Sequence, residues 1–355
     1  MVMGMLNNVQ QIEAHLLQYT ENERIYREYA EAVKHPGTLR DFSRRVDLKK
    51  ALEMKLILPD LYPECVPGAN YFCDQNVFSP GSNVLIEKHD RYTPVFLHEH
   101  DFFEMNYVVS GSCTQQIQGR RVVFRKGDFC FIALHSPHTI EVFDESVVLN
   151  ILIRHDTFDD LFMNDLRSKN LLTTFFLENL YQSNRTDYII FHTKDDENIR
   201  DSIFELYLES LAQDQYSDRM MVHMIAVLFN QLLRTYSRTA TVSENRDQEF
   251  HHQIEVVVYL EQNYRTATLA DTAEHFNYST AYCSKLIKRT TGSNFVDLLR
   301  EIRLKQAERL LRTTPASLEI IADRIGYENV GSFIRVFKQN RGVTPTQYRN
   351  CKSNG

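Results

Sequence analysis

The chain lacks the sequence features of membrane proteins, exported proteins and disulfide-linked domains. No apolar run in its 355 residues approaches the roughly 20 residues that a membrane-spanning helix needs. The first residues, MVMGMLNNVQQIEAHLLQ, carry no basic start, no apolar stretch and no small-residue cleavage site, so we expect no secretory leader. The six cysteines, at positions 65, 73, 113, 130, 283 and 351, form no CxxC pair. They favour reduced thiols, and hence a cytoplasmic protein with no membrane partner.

What the chain does contain is enough apolar sequence for more than one hydrophobic core. Hydrophobic residues make up 43% of it and charged residues 25%, and a chain of this length suits two or three domains. The net charge of -7 is uneven: residues 251–355 carry 15 Lys and Arg against 10 Asp and Glu, whereas the remainder carries 25 against 37. A basic C-terminal segment on an acidic body indicates a polyanionic partner there.

Composition and periodicity divide the chain into five segments. Residues 1–68 are polar with helical spacing and predict a helical N-terminal extension. Residues 69–155 consist of short alternating runs between glycines, such as RVVFRKG, which predicts an antiparallel sandwich or barrel. Helical spacing returns over 156–236, where we expect a dimerisation or packing segment. Residues 237–250 contain almost no apolar residue and predict a linker, and 251–352 predict a domain of short helices.

Two stretches of this last domain, 268–292 and 317–342, share one layout. Each predicts a short amphipathic helix with an alanine where a second helix crosses it, Ala273 or Ala322, because a steep crossing needs a small side chain. After a tight break, each second helix ends at a glycine suited to the left-handed cap conformation. Ser279 is the predicted N-cap of the first of these second helices.

The stretch GYENVGSFIRVFKQNRGVTPTQYR resembles the signature of the AraC/XylS family of transcriptional regulators, and the resemblance covers roughly residues 255–350. It implies two helix-turn-helix units that insert into adjacent major grooves of double-stranded promoter DNA. It also implies a small-molecule effector, RNA polymerase and a second copy of the chain as partners, and activation as the more frequent mode. The matching positions are Arg303, Ala307, Ile321, Ala322, Gly326, Tyr327, Phe333, Phe337, Gly342, Pro345 and Tyr348.

Helical periodicity indicates which side chains of the two second helices face outward. We expect Lys285 and Arg335 to contact guanine edges, although a basic side chain here could equally be solvated or contact only phosphate. Val330 and Ile334 offer only apolar contact, for instance to a thymine methyl group. The predicted DNA-facing residues are Ala281, Ser284, Lys285, Lys288, Arg289, Asn329, Val330, Ile334, Arg335 and Lys338.

A histidine-rich motif, LHEHDFFEMNYVVSG, lies in the predicted barrel. Its H-x-H-x3-E-x6-G spacing resembles the first cupin motif, and Gly127-Asp128 with Pro137-His138 resembles a looser second motif, with Val142 where an asparagine is expected. The resemblance implies that His98, His100, Glu104 and His138 face one interior, where imidazole and carboxylate suit Fe(II), Mn(II), Ni(II) or Zn(II). The implied fold is multidomain α+β: a cupin-like antiparallel β-barrel flanked by helices, then an all-α double helix-turn-helix domain.

The sensor domain of AraC-type regulators is itself a cupin-like barrel, so we expect the histidines to line an effector pocket, without a cofactor and without catalysis. The predicted pocket residues are His98, His100, Glu104, His138, Phe96 and Tyr107. Further aromatic candidates are Phe102, Phe129 and Phe131, and further polar candidates are Arg91, Glu99 and Gln116. His135 is expected in an exposed loop.

Three functions stay open at this point. The first, which we favour, is a transcriptional regulator whose barrel senses a small molecule such as a sugar or related metabolite. The second is a metal-dependent cupin enzyme, a dioxygenase or isomerase, fused to a DNA-binding domain. The third is a DNA-binding module whose barrel serves only for dimerisation.

Overall fold

A computed structural model describes residues 9–62, 71–162, 175, 188–243 and 248–351. The chain divides into two compact units, one formed by residues 1–159 with 186–243 and the other by 160–185 with 244–355. Each unit is described by itself below. Over the described ranges, no helix is both long and apolar enough to cross a membrane.

The larger unit begins with four helices, which agree with the helical extension predicted at the N-terminus. They are α1 (Val9–Leu17), α2 (Glu21–Val33), α3 (Pro36–Arg45) and α4 (Leu48–Glu53). Thr20 and Glu23 form a capping box that satisfies free backbone N–H groups at the start of α2. Tyr29 and Phe42 are buried between α2 and α3, with ring centroids 5.7 Å apart, so these helices have an apolar core of their own.

The barrel follows, and its strands alternate with turns as the short runs predicted. A single helical turn, α5 (Asp74–Val77), lies between its first two strands, and α6 (His155–Phe162) follows the ninth. The strands are β1 (Tyr71–Phe72), β2 (Val84–Lys88), β3 (Glu99–His100), β4 (Phe103–Ser110), β5 (Ser112–Ile117), β6 (Arg120–Arg125), β7 (Asp128–Ile132), β8 (His138–Glu141), β9 (Val147–Ile153), β10 (Tyr188–His192) and β11 (Thr241–Val242). They pair in the orders β11-β10-β7-β4-β9-β2, β6-β5-β8 and β1-β3, antiparallel except for the last.

Two long helices, α7 (Glu197–Ala212) and α8 (Ser217–Tyr236), belong to the same unit. Successive side chains of a strand point to opposite faces of the sheet, and one face of the six-stranded sheet carries an aromatic cluster. Phe103 of β4 lies 4.0 Å, between ring centroids, from Phe158 of α6, and Phe131 of β7 lies 5.7 Å from Phe229 of α8. Helix α8 is therefore attached to the sheet through Phe229.

Two predictions about this region are wrong. The segment 156–236 was expected to be helical, but Tyr188–His192 forms β10, which pairs with β7. This run is apolar on both faces, because it is buried between helices and barrel, and so it lacks the alternation that would indicate a strand. The expected linker, 237–250, also contains β11, where Thr241 pairs with Ile190 and its hydroxyl lies 2.9 Å from Nε2 of His192.

The smaller unit contains seven helices after residue 247 within the part of the chain that the structure describes. They are α9 (Gln248–Asn263), α10 (Leu269–His275), α11 (Thr280–Thr291), α12 (Phe295–Thr313), α13 (Leu318–Arg324), α14 (Val330–Arg341) and α15 (Pro345–Cys351). The predicted layout is confirmed. Ser279 caps α11, and Gly292 and Gly342 end α11 and α14 in the left-handed conformation.

Candidate functional site

A cavity of about 280 Å³ opens inside the barrel, on the sheet face opposite the aromatic cluster. Its polar walls come from β2 (Glu87), β3 (His100), β4 (Glu104) and β9 (Asn150). Strand pairing explains why these polar side chains converge. Glu87 of β2 and Asn106 of β4 both lie opposite Asn150 of β9. The remaining lining residues are Tyr26, Ile57, Phe72, Val77, Lys88, His89, Asp90, Thr93, Pro94, Phe96, His98, Phe102, Ile140 and Leu152.

The histidines and the glutamate of the motif meet at one end of this cavity. Nε2 of His100 lies 3.0 Å and Nε2 of His138 lies 3.4 Å from the same oxygen, Oε2 of Glu104. The other oxygen, Oε1, accepts a hydrogen bond of 2.8 Å from Asn106. His98 completes the group, with its ring centroid 4.2 Å from that of His138. The four motif residues are thus brought together as the sequence predicts.

Backbone carbonyls fix the orientation of the imidazoles. Nδ1 of His100 donates to the carbonyl of Phe102 at 2.6 Å, and Nδ1 of His138 donates to that of Ser136 at 2.8 Å. A carbonyl oxygen can only accept a hydrogen bond, so Nδ1 of each imidazole carries a proton. Nε2 of each ring is then the atom that faces the carboxylate, and it carries either a lone pair or a second proton. Burial alone would raise the pKa of Glu104, but the two imidazoles hold it well below its usual value. The carboxylate is therefore ionised, and a proton or a cation is needed between it and the imidazoles.

The same residue types are those that a divalent metal uses. Donor atoms of His98, Glu104 and His138 all lie within 4.8 Å of one another, so these three could hold an ion such as Zn(II) or Fe(II). The Nδ1–carbonyl contacts are the supporting interactions that metal-bound histidines commonly have. Burial lowers the pKa of His98 to about 3, which keeps its imidazole neutral and able to donate an electron pair.

Two polar residues of β2 and the turn after it were missed by sequence reasoning. Glu87 and His89 line the cavity; Glu87 keeps an accessible surface there and His89 is half-buried. Burial, with Asp90 and Glu104 nearby, raises the pKa of Glu87 to about 7. Burial likewise lowers the pKa of His89. Alternation along β2 from its buried partners Val84 and Ile86 was the observation that could have identified them.

The N-terminal extension, for which the sequence suggested no function, closes one side of the cavity. Tyr26 of α2 and Ile57 lie in its wall, and the Tyr26 hydroxyl accepts a hydrogen bond of 3.0 Å from the backbone N–H of Ile57. A buried ion pair attaches α2 to the barrel: Nε of Arg91 donates to Oε1 of Glu23 at 2.8 Å, and Nζ of Lys88 donates to Oε2 at 2.7 Å. The extension is therefore part of the sensor unit.

Several predicted pocket residues lie elsewhere. Tyr107 is fully buried on the other face of β4, 6.5 Å between ring centroids from Phe129, because it is an odd number of residues from Glu104. Phe129 and Phe131 share that face, opposite Tyr107 and Met105. These three predictions are wrong for that reason.

The polar candidates also differ from the prediction. Arg91 is fully buried in the ion pair with Glu23, and Glu99 is paired with Tyr71 in the short parallel sheet. Gln116 is exposed on the outer side of β5, whereas its neighbour Gln115 faces inward and donates to Asn106 at 2.8 Å. None of these three candidates lines the cavity. His135 is exposed, as predicted.

Helix α11 is the second helix of the first helix-turn-helix unit, here called the first recognition helix, and it buries the side chains that periodicity predicts. Cys283, Leu286 and Ile287 are buried in the core beneath it. Of the predicted DNA-facing residues, Ser284 is half-buried and the others are exposed: Ala281, Lys285, Lys288 and Arg289. Tyr282 is also exposed and was not predicted to face outward.

The second recognition helix, α14, confirms the burial of Phe333 and Phe337. Arg335 and Lys338 are exposed, and Asn329 is exposed while its side chain caps the helix by accepting from the N–H of Ser332 at 2.9 Å. Val330 and Ile334 are half-buried against the core of the unit, so only part of each side chain is available for the apolar contact predicted.

The two helix-turn-helix units are joined through the segment after α9. Arg303 of α12 donates to the carbonyls of Tyr264 and Arg265, at 2.8 and 3.0 Å. Gly326 lies against the carbonyl of Arg265. A Cβ at position 326 would be 2.2 Å from that oxygen, and the backbone φ of Gly326 is +83°. Only glycine fits at this position, and it allows the second turn to approach the first unit closely.

Comparison with known proteins matches both parts of the chain. Residues 81–171 match the model of an AraC-like ligand binding domain, and residues 272–350 match that of a helix-turn-helix domain. The chain belongs to the AraC family of transcriptional regulators. This AraC-family protein is a DNA-binding regulator with a ligand-binding domain. The cavity residues from Glu87 to Leu152 lie in the first matched range, and both recognition helices lie in the second.

Curated relatives agree with this assignment. The chain is 32% identical over 134 residues to "Raffinose operon transcriptional regulatory protein RafR" of Pediococcus pentosaceus, a match that covers 38% of the chain and 48% of the relative. It thus spans about half the length of that protein. It is 26% identical over 254 residues to "HTH-type transcriptional activator RhaS" of Escherichia coli O139:H28, covering 71% of the chain and 86% of the relative.

Solved structures also show similarity to this AraC-family chain. The C-terminal domain of the response regulator yesN from Fusobacterium nucleatum is 33% identical, covers 28% of the chain and 98% of that structure, and has a TM-score of 0.27. ToxT from Vibrio cholerae O395 is 14% identical, covers 76% of the chain and 98% of that structure, and has a TM-score of 0.30.

Proposed function

We propose that this protein is a cytoplasmic, homodimeric activator of transcription that binds a small effector in the barrel cavity and does not convert it. The observation that carries the proposal is the presence in one chain of a mixed polar and aromatic cavity and of two recognition helices with exposed basic faces. The expected boundaries go with it: an extension over 1–68, a barrel over 69–155, a packing or dimerisation segment over 156–236, a linker over 237–250 and a DNA-binding domain over 251–352.

On the DNA side, we assign base contacts to Lys285 and Arg335. Both are exposed near the middle of a recognition helix, and a lysine or arginine pairs well with the O6 and N7 atoms of guanine. Lys288, Arg289 and Lys338 lie nearer the helix ends, where side chains meet phosphates. Ala281, Ser284, Asn329, Val330 and Ile334 complete the proposed contact surface.

The effector is proposed to contact the motif residues and one aromatic ring, Phe96, at the same end of the cavity. The ring centroid of Phe96 lies 4.9 Å from that of His98, so an apolar surface adjoins a polar one. Such pairs suit sugars and related metabolites, which present C–H groups and hydroxyls together. The name of RafR, a regulator of a raffinose operon, supports this class of effector.

A second copy of the chain is proposed to pack against α8. Tyr216, Met220 and Val227 expose 61%, 47% and 56% of their surfaces. With His223 they follow the spacing of a coiled-coil stripe, in which apolar residues alternate three and four apart. An unpartnered stripe of this kind is typical of helix pairing between subunits.

Control of transcription then requires only a modest coupling between the cavity and DNA binding, about 1–3 kcal/mol. An effector that favours one arrangement of the dimer changes how often both DNA-binding domains engage their sites. We propose that the engaged dimer recruits RNA polymerase, in line with the name of RhaS, a transcriptional activator.

The proposal is tested with a reporter gene placed under the DNA upstream of this protein's own gene and of its neighbours. Transcription is expected to rise when the full-length chain and an effector are supplied together, and Lys285→Ala should abolish the rise. Loss of transcription on adding the effector would contradict activation, and an unchanged reporter with Lys285→Ala would contradict the assigned DNA contact.

A metal-dependent cupin enzyme is a second candidate, favoured by the closeness of His98, Glu104 and His138. Metal analysis of the purified full-length chain separates the two. One equivalent of a transition metal that is lost in Glu104→Gln, together with turnover of a substrate, would favour the enzyme. Binding of a compound that is recovered unchanged would favour the regulator.

A further inference from the structure

We propose that the β5–β6 hairpin of the sensor unit, residues 112–127, is a further DNA-contacting surface of this protein, which binds phosphates through Arg121 and Arg125 and reads no sequence. This surface is separate from the two recognition helices, and its role does not depend on the effector or on the dimer interface. Three features support it: the charge of the hairpin, the face that its side chains share, and the residue types on that face.

The hairpin is basic within an acidic part of the chain. Residues 112–127 contain four Lys and Arg and no Asp or Glu. The other residues of 1–250 contain 21 Lys and Arg, which is 25 less these four, against 37 Asp and Glu. A polyanion is therefore repelled by most of this region and attracted to the hairpin.

Two cations of the hairpin have no carboxylate partner. Nζ of Lys126 lies 2.8 Å from Oδ2 of Asp195, so its charge is already balanced. Over the described ranges, no carboxylate forms an ion pair with Arg121 or Arg125, and both residues are exposed. Their guanidinium groups are therefore available to an anion from outside the chain.

Strand pairing places both arginines on one outward face, because alternate residues of a strand point the same way. The six side chains of this face are Arg121, Val123 and Arg125 of β6 and, opposite them on β5, Gln116, Thr114 and Ser112. The inward face is apolar and buried, with Phe124 opposite Cys113. Positions 121 and 125 are about 13 Å apart along the strand, so the two guanidinium groups can contact separate phosphates of one DNA backbone.

The residue types of the outward face suit the DNA backbone. Arginine, serine, threonine and glutamine side chains all donate hydrogen bonds to phosphate oxygens. A two-stranded antiparallel ribbon is also an element that proteins place against DNA grooves. Glu141, an acidic residue of the same face, lies on β8, two strands from β6. It is thus about 10 Å away, where salt largely screens its charge.

A second copy of the chain does not fit this surface. Over the described ranges β6 is the last strand of its sheet, where another strand could pair. Antiparallel pairing of two copies about Val123 would place Arg121 of one copy opposite Arg125 of the other, and like charges directly opposite destabilise a sheet. Charged residues on an edge strand can also serve only to prevent such pairing, and that role predicts no effect on DNA binding.

DNA suits the hairpin better than an acidic protein segment does. This chain is a DNA-binding regulator, so DNA held by its recognition helices is present at high effective concentration for any other basic surface of the same chain. A duplex also carries one negative charge per about 1.7 Å of its length. Phosphates are therefore available to both arginines without a defined sequence.

The test measures the DNA affinity of the full-length protein by fluorescence polarisation at several salt concentrations. The probes are a labelled duplex of about 60 base pairs from upstream of this protein's own gene and a duplex of equal length and shuffled sequence. One variant combines Arg121→Gln with Arg125→Gln. Its control combines Arg24→Gln with Arg40→Gln, which removes two exposed arginines from α2 and α3 of the same unit. Gln116→Lys adds a cation opposite Arg121.

We expect the hairpin double variant to bind both duplexes at least about tenfold more weakly at about 0.1 M salt. The slope of log affinity against log salt concentration should fall by about 1.8, because each phosphate contact contributes about 0.9. The ratio of the two affinities should stay unchanged, since phosphate contacts carry no sequence information. Gln116→Lys should strengthen binding and raise the slope by about 0.9, and the control should change neither quantity.

The inference is overturned if the hairpin double variant behaves like its control, or if it changes the ratio of affinities for the two duplexes. Normal DNA binding with loss of reporter activation would indicate an acidic protein partner and would also overturn it. If the double variant unfolds, Gln116→Lys decides alone, because a gain in affinity requires folded protein, and no gain would contradict the inference. Lys285→Ala separates the two surfaces, since it should abolish the preference between duplexes and keep the hairpin's share of the slope.

Discussion

Glu23 offers a direct test of the finding that the N-terminal extension belongs to the sensor unit. Its side chain is fully buried and accepts hydrogen bonds from Arg91, at 2.8 and 3.0 Å, and from Lys88, at 2.7 Å. Glu23→Gln removes the charge that balances these two cations. Removing one partner of a buried ion pair costs about 3–5 kcal/mol of unfolding free energy, because the remaining charge is left in a medium that solvates it poorly.

The pKa of Glu23 gives a second estimate of the same cost. Burial opposes ionisation, but the bonds from Arg91, Lys88 and the Thr20 N–H hold the pKa at about 2, against an ordinary value of 4.5. That difference corresponds to about 3 kcal/mol, which agrees with the first estimate. Since the folded pKa is the lower one, this stability is fully present above pH 4.5 and is lost as the pH falls towards 2.

Urea denaturation followed by far-ultraviolet circular dichroism measures the effect, since the chain has no tryptophan for fluorescence. At pH 7 we expect Glu23→Gln to lower the unfolding free energy of the sensor unit by about 3 kcal/mol. The wild type should lose this advantage at acid pH. Glu28→Gln, on the exposed side of the same helix, is the control. A cost below about 1 kcal/mol, with the same pH dependence in both proteins, would refute the reasoning.

Two further predictions concern the DNA-binding unit and the proposed dimer. Gly326→Ala should destabilise the DNA-binding unit by about 2–4 kcal/mol, measured by thermal unfolding. The new methyl group would lie 2.2 Å from the Arg265 carbonyl oxygen, at a residue with a left-handed backbone conformation. An unchanged melting temperature would contradict this close approach. Val227→Glu on α8 should convert the proposed dimer to a monomer in sedimentation equilibrium, whereas Val123→Glu on β6, at a residue of similar exposure, should not. Equal behaviour of the two variants would contradict the proposal that α8 forms the interface.

Helical periodicity predicted the DNA-binding unit well. Each recognition helix is amphipathic, so the burial of Cys283, Leu286 and Ile287 fixes which residues face outward. The partial burial of Val330 and Ile334 was missed because α14 packs on a wider apolar surface than two phenylalanines indicate. Buried residues repeat at a known interval in a helix, and this interval is visible in the sequence.

The cavity was predicted only in part. Motif spacing identified His98, His100, Glu104 and His138, because fixed intervals along strands bring side chains to one face. Tyr107 was chosen for its aromatic character, although its position relative to Glu104 places it on the opposite face. Glu87 and His89 carry no motif, and their place in the cavity depends on the pairing of β2 with β9, which sequence periodicity does not reveal.

The extension shows the same limit more strongly. Its helices were visible as helical spacing, but the contact of Tyr26 with the cavity depends on the ion pair between Glu23 and Arg91, which are 68 residues apart. A polar helix and a lone arginine in a strand region give no sign of each other in the sequence. Long-range electrostatic pairing of this kind needs the structure.

The central claim, that two recognition helices of this chain bind specific DNA, is tested most directly by selecting ligands for the full-length protein from random-sequence DNA. The account predicts an enriched motif with two conserved blocks about 10–11 base pairs apart. Lys285→Ala should relax specificity in one block and Arg335→Ala in the other, each at a cost of about 1–3 kcal/mol. Lys49→Ala, an exposed lysine of α4, should leave both blocks unchanged. No enriched motif, or the same motif from all three variants, would contradict the account.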